Sequence, residues 1–233
     1  MTAKTQSLFS GSFAKKYGET GPVSLSNKEI VRSVSDSNTE IIRWIMALYC
    51  PNGFDLDPTY SIGNFYRSIK EPKFKFDLVS SGPEIVPADA SELPIKDNSI
   101  NSIMFDPPFV GGSRRDGKPG IIKVRFGYYK NIQDELWDMY SKALNEFYRV
   151  LKPGGVVVFK CQDSVESGKQ YITHVEIMNR ALQTGFYPKD LFILTAKNRI
   201  IKQERQFHAR KFHSYFWVFI KQKSPVDYNE GVA

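Results

Sequence analysis

The feature that most constrains the fold is a long amphipathic helix followed at once by an apolar strand. One side of residues 132–151 is apolar at the period of an α-helix, through Ile132, Leu136, Met139, Tyr140, Ala143, Leu144, Phe147, Val150 and Leu151. The proline and glycines of Lys152-Pro153-Gly154-Gly155 end this helix. Residues 156–160 (Val-Val-Val-Phe-Lys) are then almost continuously apolar, which is typical of a strand buried on both faces of a parallel sheet.

Strands and helices alternate over most of the chain, which predicts a doubly wound sheet. The capping-box spacing of Ser37 and Glu40 predicts a helix that begins there and ends before the Pro-Asn-Gly turn at 51–53. Further strands are predicted at 53–57, 74–78, 85–88, 102–105, 190–195 and 214–221, and a further helix at 174–184. Together these elements indicate a single α/β domain with a mostly parallel, seven-stranded sheet. We place this domain at 38–222, between an N-terminal arm at 1–37 and a polar tail at 223–233.

The balance of charges favours a polyanionic partner without identifying one. The 32 Lys and Arg residues exceed the 25 Asp and Glu residues and give a net charge of +7. No apolar run approaches the length of a membrane span, and the first ten residues lack the apolar region of a secretion signal. We therefore expect a soluble, intracellular, cytoplasmic protein that has no membrane partner.

The cysteines and histidines predict no metal site. Cys50 and Cys161 lie far apart in apolar surroundings, which indicates buried free thiols. His174, His208 and His213 form no recognisable ligand set. We expect chemistry that needs no metal.

The tetrapeptide Asp106-Pro107-Pro108-Phe109 is the most informative short motif. It follows the apolar strand at 102–105 and precedes a loop rich in Gly and Arg. Each proline fixes its own φ and lacks an N–H, and Pro108 also keeps Pro107 out of the helical region. The Asp106 carboxylate and the Pro107 carbonyl can therefore face one small site beside an aromatic ring. Two acceptors and a ring suit a planar base that carries an exocyclic amino group.

Acidic residues follow several of the predicted strands. Asp57, Asp77, Asp89 and Asp106 all lie at or just after strand ends. Parallel sheets bind ligands at the carboxyl ends of their strands, because these ends meet at one edge. The four acids therefore outline a crevice at that edge.

In this order and spacing, the motifs resemble those of class I S-adenosylmethionine-dependent methyltransferases, specifically the group that methylates exocyclic amino groups of nucleobases in DNA. Residues 48–63 resemble the family's first motif, in which a helix leads through a Pro-containing turn into a strand ending in Asp-Pro and a Gly-containing loop. The Asp-Pro-Pro-Phe motif matches the family's catalytic motif, and residues 151–155 match the turn before the fifth strand. Residues 209–219 resemble the family's last strand. The resemblance covers residues 38–222.

The resemblance implies a Rossmann-like methyltransferase fold and S-adenosylmethionine as the cofactor. The catalytic residues it implies are Asp106, Pro107, Pro108 and Phe109. The cofactor-binding residues it implies are Asp57, Pro58, Tyr60, Ser61, Gly63, Asp77, Asp89, Ala90 and Asp106, with Asp77 on the ribose hydroxyls. The chain departs from the family where Ser61 stands in place of a glycine, so we expect a reshaped loop that still binds the cofactor.

Two basic segments are candidates for binding a nucleic-acid backbone. The first follows the catalytic motif directly and contains Arg114, Arg115, Lys118, Lys123 and Arg125; the second precedes the last strand and contains Lys197, Arg199, Arg210 and Lys211. The usual position for a large target-recognition domain is empty in this sequence. A protein partner could therefore supply sequence specificity.

The sequence leaves three functions open. The first is a DNA methyltransferase that acts on adenine N6, or on cytosine N4. The second is an RNA base methyltransferase that acts on guanine N2 or adenine N6, since that group carries a similar motif. The third is a catalytically silent subunit that keeps the fold and binds nucleic acid.

Overall fold

A computed structural model of the protein describes residues 23–26, 29–80, 82–109, 132–166, 168–196 and 207–222. The strands are β1 (Val34–Ser35), β2 (Leu56–Asp57), β3 (Phe74–Asp77), β4 (Val86–Pro87), β5 (Ile100–Phe105), β6 (Leu151–Cys161), β7 (Ser164–Glu166), β8 (Lys169–Tyr171), β9 (Phe186–Thr195) and β10 (His213–Lys221). The α-helices are α1 (Asn38–Tyr49), α2 (Ile132–Val150) and α3 (Thr173–Thr184), and a 3-10 helix spans Asn64–Tyr66.

Eight strands form the main sheet in the order β1-β9-β10-β6-β5-β2-β3-β4. Strand β10 runs antiparallel to both of its neighbours, and the other adjacent pairs are parallel. The predicted α/β class and the mostly parallel sheet are therefore confirmed. The count of eight instead of seven comes from β1, which pairs with β9 through Val34 and Ser35. A two-residue edge strand is too short to carry the periodicity by which strands are recognised.

Helices cover both faces of the sheet. Helix α1 packs with Met104, Val156 and Val158 on one face. The second face bears Val157 and Phe159, which pack with residues of α2 and α3. The alternate residues of β6 thus supply both cores, as the continuous apolar run predicts for a strand buried on both sides.

Local signals in the sequence explain where two of these elements begin. Ser37 caps α1 as predicted, because its hydroxyl accepts the Glu40 N–H at 3.3 Å. The capping box is not complete, since the Ser37 N–H donates to the Ser35 hydroxyl at 3.0 Å and not to Glu40. The Lys-Pro-Gly-Gly segment at 152–155 ends α2 as predicted, but it lies within β6 as an outward bulge. The register passes from Ile100 opposite Leu151 to Ser102 opposite Val156, so four residues of β6 face one residue of β5.

Several boundaries differ from those predicted. Strand β2 has two residues, where the sequence predicted five at 53–57, and β9 begins at Phe186 rather than at 190. The β7–β8 hairpin was not predicted at all. In residues 58–99, apart from residue 81, the structure has the short 3-10 helix but no α-helix. Short strands carry too few residues for a pattern of period two to mark their ends.

Both cysteines lie among the described residues. Cys50 and Cys161 are both buried and unpaired, which confirms the interpretation of them as free thiols. None of the described helices is long and apolar enough to cross a membrane. Likewise, the described residues hold no cluster of three His, Cys, Asp or Glu side chains that could bind a metal ion.

Candidate active site

A cavity of about 740 Å³ opens at the carboxyl ends of β2, β3, β5 and β6. Ten residues that the sequence predicted as catalytic or cofactor-binding line it: Pro58, Tyr60, Ser61, Asp77, Asp89, Ala90, Asp106, Pro107, Pro108 and Phe109. Asp57 and Gly63 were predicted with them but do not line the cavity. The crevice predicted from acids at strand ends therefore exists, and one of its four acids lies behind the wall.

Asp106 follows β5 directly and is held from two sides. Its backbone N–H donates to the Thr59 hydroxyl at 2.9 Å, and its Oδ2 atom lies 3.3 Å from Lys160 Nζ. Its Oδ1 atom is buried and has no hydrogen-bond partner among the described residues. Burial raises the pKa of the Asp106 carboxyl, and the charge and hydrogen bond of Lys160 oppose that rise.

The two prolines and the phenylalanine form a turn that α2 clamps. The fully buried Tyr140 donates its hydroxyl to the Pro108 carbonyl at 2.7 Å. Phe109 lies beside the cavity, with its ring centroid 5.5 Å from Lys160 Nζ. The turn thus has a fixed backbone on both sides of Pro107, while the aromatic ring remains on the cavity wall.

Asp77 ends β3 and organises the loop that follows β2. Its side chain is buried, and Oδ2 accepts the Ser61 N–H at 2.9 Å. Ser61 has φ of +53°, so the residue in the glycine position adopts a left-handed conformation. That conformation costs a non-glycine residue roughly 1–2 kcal/mol. A hydrogen bond to a charged group contributes about 1.5–3 kcal/mol and can offset it.

Asp57 supports this loop from behind the wall. It is 1% exposed, and it accepts hydrogen bonds from the Thr59 N–H at 2.8 Å and from the Tyr66 hydroxyl at 2.7 Å. Burial raises its pKa to about 7, against the hydrogen bonds, which lower it. Since Thr59 binds the Asp106 N–H, Asp57 connects the loop to the catalytic turn.

Gly63 also lies behind the wall and lets Tyr60 pack closely. Its φ is +67°, and a Cβ atom there would lie 2.5 Å from the Tyr60 hydroxyl oxygen. Tyr60 lines the cavity and stacks on Tyr66 with ring centroids 5.4 Å apart. Gly63 is therefore required for packing, whether or not it contacts a cofactor.

Asp89 and Ala90, which were predicted to bind the cofactor, border the cavity on the side of β4. The exposed Asp89 accepts hydrogen bonds from the Ser91 N–H at 2.8 Å and the Ser91 hydroxyl at 2.7 Å. The chain then turns under α2, where the Leu93 N–H donates to Glu146 at 2.6 Å. This anchoring holds the segment in place without a regular strand.

Among the residues that the sequence did not identify are Thr59, Lys160 and Gln162 on the cavity wall and Tyr140 behind it. Tyr140 was identified only as part of the apolar stripe of α2, which does not indicate where its hydroxyl points. Lys160 carried a usable signal. It follows the apolar run of β6 at the carboxyl end, and the partner strand β5, with Phe105 opposite Phe159, ends in the catalytic motif.

The basic segments are only partly described. Arg114, Arg115, Lys118, Lys123, Arg125, Lys197 and Arg199 lie outside the described residues. Arg210 and Lys211 are both half-buried. Gln162, on the cavity wall, donates to the His213 carbonyl at 2.6 Å. The described end of the second segment therefore lies at the rim of the cavity.

Comparison with known proteins identifies the family of the chain. A family model described as a DNA methylase, N6_N4_Mtase, matches residues 100–231, which is more than half of the chain. The match includes the catalytic motif, the bulge at 152–155 and the last strand. No curated protein sequence matches the chain.

Several solved structures are similar to parts of the chain. The cytosine-N4-specific PvuII DNA methyltransferase is 21% identical with a TM-score of 0.46, over 63% of this chain and 52% of that one. A Thermus thermophilus protein provisionally described as a DNA modification methylase, complexed with S-adenosyl-L-methionine, is 19% identical with a TM-score of 0.42, over 60% and 56%. A Haloferax volcanii protein provisionally described as a methyltransferase, complexed with the Trm112 methyltransferase activator, is 15% identical with a TM-score of 0.45, over 72% and 81%. The chain spans about half the length of the PvuII and Thermus proteins.

Proposed function

Because the chain belongs to the N6/N4 DNA methylase family, as its motifs predicted, we propose that it transfers a methyl group from S-adenosylmethionine to an exocyclic amino group of a nucleobase. The observation that carries the proposal is the Asp106 carboxylate. It lies on the cavity wall beside Phe109, and its Oδ1 atom has no partner among the described residues. A buried oxygen without a partner costs roughly 1–3 kcal/mol, and that cost is relieved when an N–H donor reaches the carboxylate.

The residues of the cavity fit the proposed cofactor. Asp77 presents a buried carboxylate at the end of β3, and a carboxylate can accept hydrogen bonds from both hydroxyls of a ribose. Tyr60 and Phe65 add aromatic surface to the same wall. The volume of about 740 Å³ is within the usual range of small-molecule sites. S-adenosylmethionine, when bound, supplies an electrophilic methyl group. The product that remains after the methyl group is lost is a neutral thioether.

The chain's own residues would then make the amine reactive and hold it in line. An exocyclic amine is a poor nucleophile because its lone pair is delocalised into the ring. Asp106 and the Pro107 carbonyl accept its N–H groups and favour a nitrogen whose lone pair is free, while Phe109 stacks on the ring. The nitrogen gains the methyl group and loses one proton, which Asp106 accepts and passes to water. Alignment of this kind can supply about 7–11 kcal/mol in well-oriented intramolecular reactions.

DNA is the proposed substrate, with adenine N6 as the first target and cytosine N4 as the second. The family description and the net charge of +7 both support a nucleic acid. In a duplex the target base must leave the stack, at a cost of about a few kcal/mol. RNA bases are the alternative substrate, and a partner that supplies specificity remains part of the proposal.

The test is a methylation assay followed by mass spectrometry of the nucleosides. The purified protein is incubated with S-adenosylmethionine and, separately, with duplex DNA, single-stranded DNA and transfer or ribosomal RNA. We expect N6-methyladenine or N4-methylcytosine in DNA, and none with Asp106→Ala. Methylation confined to RNA would replace the DNA proposal by the RNA alternative. Cofactor and nucleic-acid binding without any methylated base would favour the silent subunit.

A further inference from the structure

Lys160 lies at the junction of the catalytic motif and an aromatic pocket. Its side chain is 14% exposed, and its ammonium group lies 3.3 Å from Asp106 Oδ2. Three aromatic ring centroids surround the same atom, those of Phe65 at 4.8 Å, Phe109 at 5.5 Å and Phe216 at 5.5 Å. A lysine is rarely removed from water to this extent unless a partner compensates its charge.

We propose that Lys160 is a positioning residue for methyl transfer: it fixes the Asp106 carboxylate and the Phe109 ring relative to each other. This inference rests on the proposed function, since it concerns the same site. Lys160 does not touch the amine or exchange its proton. It acts through two groups that do.

Its first effect is on the carboxylate. Lys160 occupies one lone pair of Oδ2, and the other lone pairs of the carboxylate remain available to an N–H donor. The cation also favours the ionised form of Asp106 in a setting where burial disfavours it. Among the described residues, Lys160 is the one cation in contact with this carboxylate.

Its second effect is on the aromatic ring. A cation about 5.5 Å from a ring centroid is within the range of a cation–π interaction. The same ammonium group therefore restrains both the acceptor of the N–H groups and the surface on which the base stacks. Phe65 and Phe216 hold the ammonium from other elements, so the arrangement does not depend on the base being present.

Other titratable groups lie close enough to matter for a pH profile. The groups whose charges interact with Asp106 are Asp57 at the end of β2, Tyr66 on the 3-10 helix, Tyr140 on α2 and Cys161 on β6. Burial raises the pKa of both tyrosines and of the thiol, so these three remain neutral through the working range. Asp57 titrates in that range, and an Asp57→Asn background separates its contribution from that of Asp106.

The experiment compares three substitutions of Lys160. Lys160→Met removes the charge and the donor, Lys160→Gln keeps a donor, and Lys160→Arg keeps both. For Met we expect kcat to fall about 10–100-fold with the KM for S-adenosylmethionine within about twofold of wild type. The acid limb of the pH profile should move up by about 1 unit, since an adjacent opposite charge lowers a carboxyl pKa by roughly 1–3. Lys160→Gln should show the same shift of the acid limb with a smaller loss of kcat. Lys160→Arg should recover most of the wild-type activity.

Lys73→Met is the matched control. Lys73 also lies over an aromatic ring, at 5.0 Å from the centroid of Phe74, but it is exposed and does not line the cavity. Its kcat and pH profile should match those of wild type. Similar losses in both variants would mean that the effect of Lys160→Met is general and not specific to the site.

A carbon-13 titration of the Asp106 carboxyl keeps the inference testable apart from catalysis. We expect its pKa to be higher in Lys160→Met than in wild type, measured without substrate. An unchanged pKa, or an unchanged kcat while Asp106→Ala is inactive, would overturn the role of Lys160 alone. If wild type methylates nothing, the proposed function fails, and the titration still decides whether Lys160 controls Asp106. Should Lys160→Met not fold, Lys160→Gln provides the same comparison.

Discussion

The two walls of the cavity are built in different ways. The wall with the proposed catalytic residues, here called the catalytic wall, belongs to β5 and β6, which have 6 and 11 residues and are packed between helices on both faces. The wall with the proposed cofactor site, here called the cofactor wall, belongs to β2, β3 and β4, which have 2, 4 and 2 residues. Between β2 and β5, the described residues form no α-helix that could pack against these short strands.

Different forces therefore position the functional groups of each wall. Asp106 takes its position from a buried strand, and Tyr140 and Thr59 hold the turn around it. The cofactor loop depends instead on buried carboxylates, since Asp57 binds the Thr59 N–H and Asp77 binds the Ser61 N–H. We therefore expect that removing the Asp106 carboxylate disturbs the backbone little, whereas the carboxylates of Asp57 and Asp77 hold the backbone of the cofactor wall.

The largest effect is expected at the catalytic wall. Asp106→Ala should reduce methyl transfer by about 10²–10⁴-fold, because no other side chain replaces the acceptor for the amine. S-adenosylmethionine binding should stay largely intact, as measured by calorimetry. Near-wild-type turnover would show that this carboxylate is not the acceptor, and a large loss of cofactor affinity would show that the two walls are not independent.

Asp77 tests the cofactor wall. Asp77→Ala should weaken S-adenosylmethionine binding by about 10–100-fold. It removes the carboxylate that would accept hydrogen bonds from the ribose hydroxyls and that accepts the Ser61 N–H. Asp77→Asn is the control, since its amide oxygen can still accept from Ser61. If Asp77→Asn binds the cofactor as weakly as Asp77→Ala, the negative charge of Asp77 matters more than its hydrogen bond to the loop. Unchanged binding in Asp77→Ala would remove Asp77 from the site.

Asp57 tests whether burying an ionised carboxylate in the cofactor wall lowers the free energy of unfolding. Its pKa is raised by burial to about 7, above its value in the unfolded chain, so its contribution favours folding at low pH and is lost as pH rises from about 4 to about 7. Asp57→Asn removes this loss. The difference in unfolding free energy, Asn minus wild type, should increase by about 1–3 kcal/mol between pH 5 and pH 8. Urea unfolding at both pH values measures it, and a difference that does not change with pH would contradict the raised pKa.

A smaller effect is expected from the aromatic ring of the catalytic wall. Phe109→Ala should lower turnover about tenfold, because stacking of a base on an aromatic side chain is worth roughly 1–3 kcal/mol. Phe109→Tyr should retain activity, since the stacking face is preserved. Equal losses in the two variants would indicate that the ring serves packing around Lys160 and not stacking on the base.

The basic segment after the Asp-Pro-Pro-Phe motif is expected to have the smallest effect on chemistry. Replacing Arg114, Arg115 and Lys118 by Ala should reduce the slope of log K against log salt by about 0.9 per lost contact on duplex DNA. Cofactor affinity should not change, because the proposed cofactor site lies on the other wall. Equal slopes for wild type and variant would transfer the phosphate contacts to the segment that contains Arg210 and Lys211.

The catalytic wall was easier to predict than the cofactor wall. Helix α2 and β6 have long, regular apolar patterns, so their existence and order could be predicted, whereas the segment at 152–155 was predicted only as the end of the helix and not as a bulge. Strands β1, β2 and β4 have two residues each, and their pairing depends on contacts far along the chain. The β7–β8 hairpin likewise gave no signal that distinguishes it from a loop.

The sequence by itself determined which chemical groups meet at one edge. Carboxylates at the ends of parallel strands must share that edge, whatever the details of packing. Only the tertiary structure decided that Asp77 lines the cavity while Asp57 supports the loop behind it. It also decided that Lys160 contacts Asp106 across 54 positions of sequence. The reason is that burial and hydrogen-bond partners depend on how separate segments pack. Local residue patterns carry no information about contacts between segments that are far apart in the sequence.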